Sequence, residues 1–152
     1  MTLNMDYCNN EIGDNPVNTS WFFVDTSGWF AYLDERDDRH KDAVKEIQER
    51  LNSVLTSDYT LSELTHAEQS RLDNKAIASF VWQIWEKQEK KLIRATEDDE
   101  SIAWKIFCQY HGSRPTFTDC INVVLLKKYK INSWLSFNKW FPKTLKELEM
   151  LV

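Results

Sequence analysis

Residues 21–25 read WFFVD, an apolar run that ends in an acid. A short run of this kind is typical of a strand buried on both faces of a parallel sheet. The next two residues, Thr26 and Ser27, carry hydroxyls suited to capping a short helix, and the charged stretch 34–39 indicates an exposed connection. We therefore predict a first strand over Trp21–Asp25, followed by a short helix.

The rest of the chain alternates between two patterns. Apolar residues three or four apart form one stripe of a helix, and short apolar runs indicate further strands. The predicted helices span about His40–Ser53, the segment from Thr60 onward, Asn74–Lys87, Asp98–Tyr110 and Thr118–Tyr129. The predicted strands span about Leu55–Tyr59, Lys91–Thr96 and Asn132–Phe137. Residues 142–152 are compatible with either a helix or a short edge strand.

This alternation determines the fold class. Strands separated by amphipathic helices require right-handed crossovers, which place helices on both faces of a parallel sheet. We predict an α/β fold with three layers, α/β/α, around a central parallel sheet of four or five strands. Residues 1–19 are rich in Asn and Asp without an apolar period, which predicts a poorly ordered tail, and 20–152 are predicted to form one domain.

The composition excludes several classes of protein. No apolar run approaches the ~20 residues that a membrane span needs, and the first residues lack the basic-then-apolar pattern of a secretory signal. We therefore expect a cytoplasmic protein without membrane contact. The three cysteines are widely separated and include no Cys-x-x-Cys pair, which indicates reduced thiols.

The net charge is −5, from 19 basic and 24 acidic residues. This sign disfavours a protein that holds nucleic acid by bulk electrostatics, so any such contact must be local. Acids gathered around a cation would add to the same excess. The charge alone therefore does not decide between a nucleic-acid enzyme and other functions.

Four polar side chains fall where open parallel sheets bind ligands, beyond the carboxyl ends of the strands and near the point where strand order reverses. Asp25 ends the first predicted strand, and Asn138 follows the last. Glu63 lies in the first turn of the helix after the second strand. Asp119 lies in the first turn of the helix before the last strand. We therefore predict that all four converge on one rim of the sheet.

Converging carboxylates repel one another unless a cation lies between them. Mg²⁺ takes oxygen ligands, usually one or two carboxylates with waters and substrate phosphate. Such an ion lowers the pKa of a bound water and stabilises charge on a phosphate. We therefore predict that Asp25, Glu63 and Asp119 hold Mg²⁺ or Mn²⁺ for phosphodiester cleavage.

Three stretches resemble the PIN-domain family. VDTSGWFAYLDERDDRH, residues 24–40, resembles the opening of PIN domains, and TLSEL, residues 60–64, resembles their second motif. PTFTDCINVVLLKKYKINSWLSFNKWF, residues 115–141, resembles the third and fourth motifs together. Its TFTDC, followed at a fixed distance by SFNKWF, is the most specific part and resembles VapC-type toxins.

The resemblance implies an endoribonuclease toxin of a bacterial toxin–antitoxin pair. Such enzymes act on structured or messenger RNA, are commonly dimeric and are held inactive by a small antitoxin. The resemblance assigns metal binding to Asp25, Glu63 and Asp119. It assigns supporting roles to four hydroxyl residues, Thr26, Ser27, Thr118 and Ser136. Asn138 is a departure, because many members carry an acid there, and an amide ligates without adding the charge that a second metal ion requires.

One predicted helix has a broader apolar face than a single buried stripe. The face comprises Ile77, Phe80, Val81, Ile84 and Trp85. It is either core throughout, or part of it meets a second copy or an antitoxin. The acids at 98–100, in contrast, are expected to stabilise the start of their helix.

Two rival functions keep the same fold. A binding module that has lost catalysis at Asn138 would bind its partner without binding metal. A phosphotransfer enzyme would phosphorylate the aspartate after the first strand. Phosphatases that resemble haloacid dehalogenases need a second aspartate where this chain has Ser27, and response-regulator receivers need an acid pair where it has Phe23 and Val24. The residues therefore disfavour phosphotransfer.

Overall fold

A computed structural model describes residues 21–66, 72–87, 91–110 and 115–141, which form four strands and six helices. The strands are β1 (Phe22–Val24), β2 (Val54–Ser57), β3 (Lys91–Ile93) and β4 (Ser133–Leu135). The helices are α1 (Thr26–Leu33), α2 (His40–Glu49), α3 (Asp58–Thr65), α4 (Asn74–Lys87), α5 (Glu97–Phe107) and α6 (Phe117–Lys128). The predicted tail at 1–19 and the segment 142–152 lie outside the described residues.

The four strands run parallel in the order β3-β2-β1-β4. From β1 the chain proceeds to one edge through β2 and β3, and it returns to the other side of β1 to form β4. Phe22 of β1 is opposite both Val54 of β2 and Ser133 of β4. Strand order therefore reverses between β1 and β4, and the crevice beyond their carboxyl ends is the ligand-binding position of such sheets.

Alternate side chains of β1 enter two different cores, as the two-residue period of a strand requires. Phe23 packs with side chains of α5 and α6 on one face of the sheet. Phe22 and Val24 pack on the other face, among side chains of α1, α2, α3 and α4. The architecture is therefore the predicted three-layer α/β/α arrangement around a parallel sheet.

Several predicted boundaries are wrong, and capping explains two of them. The second strand ends at Ser57 instead of Tyr59, because the Ser57 hydroxyl accepts the N–H of Thr60 at 3.0 Å and starts α3. The third strand stops before Thr96, which caps α5. The predicted helix at 40–53 ends as an α-helix at Glu49 and continues as a 3₁₀ turn at Leu51–Ser53. The fourth strand is shorter than predicted by about a residue or two at each end.

The broad face of α4 divides between core and solvent. Trp85 is exposed, and the guanidinium of Arg94 lies 4.1 Å from its ring centroid. The other four residues belong to the core cluster on that side of the sheet or pack against it: Ile77, Phe80, Val81 and Ile84. Core packing therefore accounts for most of the predicted partner face, and the exposed part is confined to the end of α4 that carries Trp85.

Among the helices of the described ranges, none combines the length and the apolar composition of a membrane span. Cys108 and Cys120 are both free thiols, and burial raises the pKa of Cys120 to about 12. Cys120 therefore stays protonated and acts as a core side chain.

Candidate active site

Asp25 closes the end of β1 and caps α1. One of its carboxylate oxygens, Oδ1, accepts hydrogen bonds from the Ser27 hydroxyl at 2.7 Å and from the Gly28 N–H at 2.8 Å. The other oxygen, Oδ2, accepts from the Ser136 hydroxyl. The cap is therefore the acid itself and not one of the hydroxyls that follow it, contrary to the prediction. Both oxygens are held, so the orientation of the carboxylate is fixed.

The ionisation of Asp25 is perturbed by its surroundings. Burial raises the pKa of Asp25 to about 6, because removal from water disfavours the charged form. Hydrogen bonds from Ser136, Gly28 and Ser27 oppose this rise, and the negative charge of Asp119 adds to it. Among the described residues, no lysine or arginine forms an ion pair with Asp25. Its charge is therefore not balanced by a cation from that part of the chain.

Glu63 reaches the same rim from α3. Because Ser57 starts that helix early, Glu63 lies in its second turn and not in the predicted first turn. Its Oε2 accepts from the Thr26 hydroxyl at 2.8 Å, and Thr118 supplies a second side-chain hydrogen bond. Burial raises the pKa of Glu63, and the charge of Asp119 raises it further.

Asp119 occupies the third position of α6, in the predicted first turn. It forms a capping box with Thr116: the Asp119 N–H donates to the Thr116 hydroxyl at 3.1 Å, and the Thr116 N–H donates to Asp119 Oδ2 at 2.8 Å. The side-chain amide of Asn138 donates to Oδ1 at 2.9 Å and to Oδ2 at 3.0 Å. Burial raises the pKa of Asp119, and these hydrogen bonds limit the rise.

Hydrogen bonds join the ends of β1 and β4 across the reversal of strand order. The Ser27 hydroxyl, which donates to Asp25, accepts from the Phe137 N–H at 2.8 Å. The Ser136 hydroxyl likewise accepts from the Asn138 N–H at 3.1 Å. The two serines therefore tie the loop after β4 to the carboxylate after β1.

All eight predicted site residues lie at this rim, although they come from four separate segments of the chain. Asp119 interacts electrostatically with both Asp25 and Glu63. Over the described ranges, however, no three acidic, His or Cys side chains are already arranged as a set of metal ligands. Two of the acids are held by hydrogen bonds instead: Asn138 donates to Asp119, and hydroxyls donate to Asp25. The role of each residue stays a prediction.

Two residues that position the site were not predicted. Thr116 holds Asp119, and the pattern Thr-x-x-Asp at 116–119 is a capping-box signal that could have identified it. Gly28 lets α1 approach β4, because a Cβ there would lie 2.8 Å from the Leu135 carbonyl oxygen and 2.9 Å from a methyl of Val24. No local sequence signal marks that close approach.

The acids at 98–100 do not join the site. Asp99 forms a second capping box, with Thr96, and an ion pair with Lys128 at 2.9 Å. Glu100 accepts from the Tyr59 hydroxyl at 2.8 Å. The capping box of Asp99 agrees with the predicted role of an acid at the start of this helix.

The rim is chemically suited to a hard divalent cation. Ionised carboxylates that are buried close together repel one another. A cation between them removes this repulsion. Mg²⁺ needs only one or two protein carboxylates beside water and phosphate oxygens, so a closed cage of acids is not required. Asp25, Glu63 and Asp119 can therefore supply the carboxylates of such a site.

The fold and the rim define a three-layer α/β/α protein with an acidic site at the reversal of strand order. A family model described as the PIN domain matches residues 22–146. The chain belongs to the PIN-domain family, and the predicted resemblance to that family is confirmed.

Comparison with solved structures gives the same fold. The chain is similar to VapC20 of Mycobacterium tuberculosis, described as a sarcin–ricin loop cleaving toxin, with a TM-score of 0.72 and 24% sequence identity. The similarity covers 80% of this chain and 93% of VapC20. None of the curated proteins matches the sequence.

Proposed function

We propose that the chain is an endoribonuclease of the VapC type, the toxin of a type II toxin–antitoxin pair. The observation that carries the proposal is the rim itself: Asp25, Glu63 and Asp119 are brought to the strand-order reversal of a PIN domain with raised pKa values. VapC20, to which the fold is similar, is described as a toxin that cleaves the sarcin–ricin loop, which supports RNA as the substrate.

The cofactor in this proposal is Mg²⁺ or Mn²⁺, held by the three acids. Among the described residues, no lysine, arginine or histidine forms an ion pair with any of the three acids. Their carboxylate oxygens are the ligands that hard divalent ions prefer. When bound, the ion supplies a Lewis acid that activates water and offsets the negative charge of the phosphate. Asn138 brings no charge, which favours one ion over two.

Hydrogen bonds from neighbouring hydroxyl groups fix the orientation of two of the proposed metal ligands, Asp25 and Glu63. Ser27 and Ser136 fix both oxygens of Asp25, so that its remaining lone pairs keep one direction. Thr26 holds one oxygen of Glu63. Such anchoring lowers the cost of arranging the site during the reaction, in which water adds to phosphorus and a bridging P–O bond breaks.

The partners in this proposal are an RNA substrate and a small antitoxin, and the oligomer is a homodimer in the cytoplasm. The exposed end of α4 supports an interface, because Trp82 and Trp85 are both exposed there. Large aromatic side chains exposed in pairs are typical of surfaces that a protein partner covers.

One contact favours the rival function, a PIN-like binding module without catalysis. Asn138 occupies both oxygens of Asp119 with hydrogen bonds. If that contact persists in the presence of Mn²⁺, Asp119 is less available as a ligand. Calorimetry with Mn²⁺ separates the two functions, because only the nuclease requires the ion.

The decisive experiment is RNA cleavage by purified variants. Asp25→Asn and Asp119→Asn keep the shape of each side chain but remove a ligand charge, and we expect each to lower cleavage by at least ~100-fold, as loss of several kcal/mol of charge stabilisation implies. Asp38→Asn, at an exposed position after α1, is the matched control and should cut like the wild type. Equal cleavage by all three variants, or no cleavage by the wild type with either metal, refutes the proposal.

A further inference from the structure

Three buried polar side chains join α6 to the start of α3. Ser57, Thr60 and Asn122 are each at most 1% exposed. The amide oxygen of Asn122 accepts from the Ser57 hydroxyl at 2.6 Å, and its amide nitrogen donates to the Thr60 hydroxyl at 2.9 Å. The two hydroxyl oxygens lie 3.0 Å apart, which closes a triangle. These three residues are called the buried polar group below.

The buried polar group lies one helical turn from two of the acids. Glu63 follows Thr60 by three residues in α3, and Asp119 precedes Asn122 by three residues in α6. Residues three apart lie on one face of a helix. The same two faces meet again at the site, because Thr118 of α6 supplies a side-chain hydrogen bond to Glu63. The later residue of α3 thus pairs with the earlier residue of α6, as in antiparallel helices.

An amide is an unusual choice at position 122. The other buried residues of α6 that follow Asp119 are apolar: Cys120, Ile121, Val123, Val124, Leu125 and Leu126. A buried amide contributes little more to stability than an apolar side chain of its size, because desolvation offsets much of the gain from its hydrogen bonds. What the amide adds is geometry, since a hydrogen bond weakens steeply when its atoms move apart or turn.

The contact distances show what an apolar replacement would do. The polar atoms of the group approach to 2.6 and 2.9 Å, whereas apolar atoms pack best at about 3.5–4.0 Å. An apolar side chain at residue 122 would therefore move α6 away from α3 by on the order of 1 Å. The same movement would separate Glu63 from Asp119, because each acid lies in the helix that moves.

A metal site tolerates little of such movement. Mg²⁺ takes its oxygen ligands at about 2 Å in a nearly ideal octahedron. Thr116 and Asn138 orient the Asp119 carboxylate, but neither residue belongs to α3. The distance from Asp119 to Glu63 therefore depends on how closely the two helices pack, and the buried polar group fixes that packing.

We propose that Asn122 is a positioning residue, which through Ser57 and Thr60 holds α3 and α6 at the separation at which Glu63 and Asp119 share one divalent ion. The proposal rests on the proposed function, because it takes both acids as ligands of that ion. Asn122 contacts neither acid and acts through the helix that carries Asp119. Without it the chain still folds, but its affinity for the ion falls.

The test uses two pairs of variants of the full chain. Asn122→Leu keeps the size of the side chain and removes its hydrogen bonds. The double variant Thr60→Val/Asn122→Leu removes donor and acceptor of one hydrogen bond together, so neither is left buried without its partner. Thr60→Ser keeps the hydroxyl to which Asn122 donates. Lys128→Met is the control for a broken polar contact of α6, because it removes the ion pair with Asp99 of α5 and leaves α3 untouched.

The first measurement is the affinity of the folded proteins for Mn²⁺ by calorimetry. We expect Asn122→Leu and the double variant to bind Mn²⁺ about 10- to 100-fold more weakly, the usual effect of residues that orient metal ligands. Thr60→Ser and Lys128→Met should bind like the wild type. Lys128→Met should nevertheless unfold at a lower denaturant concentration, because it leaves the buried Asp99 without its cation. Loss of stability alone would then not explain a weaker affinity.

The second measurement needs no metal. A double-mutant cycle of Glu63→Gln and Asp119→Asn, unfolded by denaturant in EDTA at alkaline pH, reports the repulsion between the two ionised acids. We expect this coupling to change the folding equilibrium constant by about 2- to 10-fold in the wild-type background. In the Thr60→Val/Asn122→Leu background the coupling should be smaller, because the two acids are further apart.

The two measurements separate this proposal from the proposed function. A wild type without measurable repulsion between the acids, or a repulsion unchanged in the double variant, overturns the proposal. An Mn²⁺ affinity of the double variant equal to that of the wild type also overturns it and leaves the buried polar group a role in stability only. If the wild type binds no Mn²⁺, the metal-dependent function fails, and the cycle in EDTA alone decides whether Asn122 sets the separation of the acids.

Discussion

The side-chain amide of Asn138 donates to both carboxylate oxygens of Asp119, at 2.9 and 3.0 Å. The amide comes from the loop after β4 and the acid from the first turn of α6, so the contact joins the two segments that precede and follow that strand. It places a neutral donor at a position where the resemblance to PIN domains leads one to expect an acid. This exchange makes the charge of the rim one unit less negative.

Asn138→Asp should make the metal-free protein less stable and its affinity for Mn²⁺ higher. Two carboxylates would then face each other where an amide now donates, and a cation between them would reverse the repulsion. We expect a loss of roughly 1–3 kcal/mol in the free energy of unfolding in EDTA, from the lost hydrogen bonds to a charged group. Denaturant unfolding with and without Mn²⁺ measures the first effect, and calorimetry measures the second.

Asn132→Asp is the control for added charge, because residue 132 is exposed before β4. It should change neither quantity appreciably. If Asn138→Asp and Asn132→Asp unfold alike in EDTA, Asn138 does not hold Asp119 in the way the structure indicates.

The raised pKa of Asp25 predicts a pH dependence of stability. The folded protein holds this proton with a pKa of about 6, against a model value of 3.8 for the unfolded chain. The contribution of Asp25 to the free energy of unfolding is therefore most favourable below pH 3.8, where the carboxyl is protonated in both states. It is lost as the pH rises through about 6, because the carboxyl of the folded protein then ionises in a buried position. The shift of about two units corresponds to ~3 kcal/mol lost at neutral pH.

Asp25→Asn should consequently be more stable than the wild type at pH 7 in EDTA, by up to ~3 kcal/mol, and no more stable near pH 3.5. The same variant is expected to be inactive, so stability and cleavage change in opposite directions. Denaturant unfolding at both pH values measures the difference. A variant that is less stable at pH 7 would show that the three hydrogen bonds of Asp25 outweigh the cost of its burial.

The sequence predicted the fold because its patterns are local. WFFVD at 21–25 and the helical stripes each follow from a few neighbouring residues, and crossovers between parallel strands leave few topologies open. The rim was predictable for the same reason, since Asp25 and Asn138 follow the two strands at which the order reverses. Wrong boundaries arose at Ser57 and Thr96, where a side chain caps a helix earlier than the apolar spacing indicates.

Contacts between distant segments could not be predicted from the sequence. The pairing of Asn138 with Asp119 and the approach of Gly28 to the Leu135 carbonyl depend on how α1, α6 and β4 pack, and no spacing records that. The exposure of Trp104 on α5 could not be predicted either, because Phe107 lies three residues on, at the spacing of a buried stripe.

Gly28→Ala should destabilise the protein, although alanine in place of glycine within a helix is usually stabilising by ~1 kcal/mol. The added Cβ would meet the Leu135 carbonyl at 2.8 Å, and backbone cannot move aside cheaply. We expect a loss of roughly 1–3 kcal/mol and lower cleavage, since α1 would shift away from β4. Ser79→Ala on the exposed side of α4 is the control and should be neutral. Equal unfolding midpoints for the two variants would contradict the close approach.

The two capping boxes of the chain allow stability and activity to be separated. Thr116 caps α6 and holds Asp119 of the rim, whereas Thr96 caps α5 and holds Asp99, which pairs with Lys128. Replacement of either threonine by valine removes the hydroxyl that accepts the backbone N–H three residues on. Each variant should lose about 1 kcal/mol in the free energy of unfolding. Only Thr116→Val should also lower RNA cleavage, because only its acid belongs to the site. Equal cleavage by the two variants at equal folded fraction would show that the cap of α6 does not position Asp119 for catalysis.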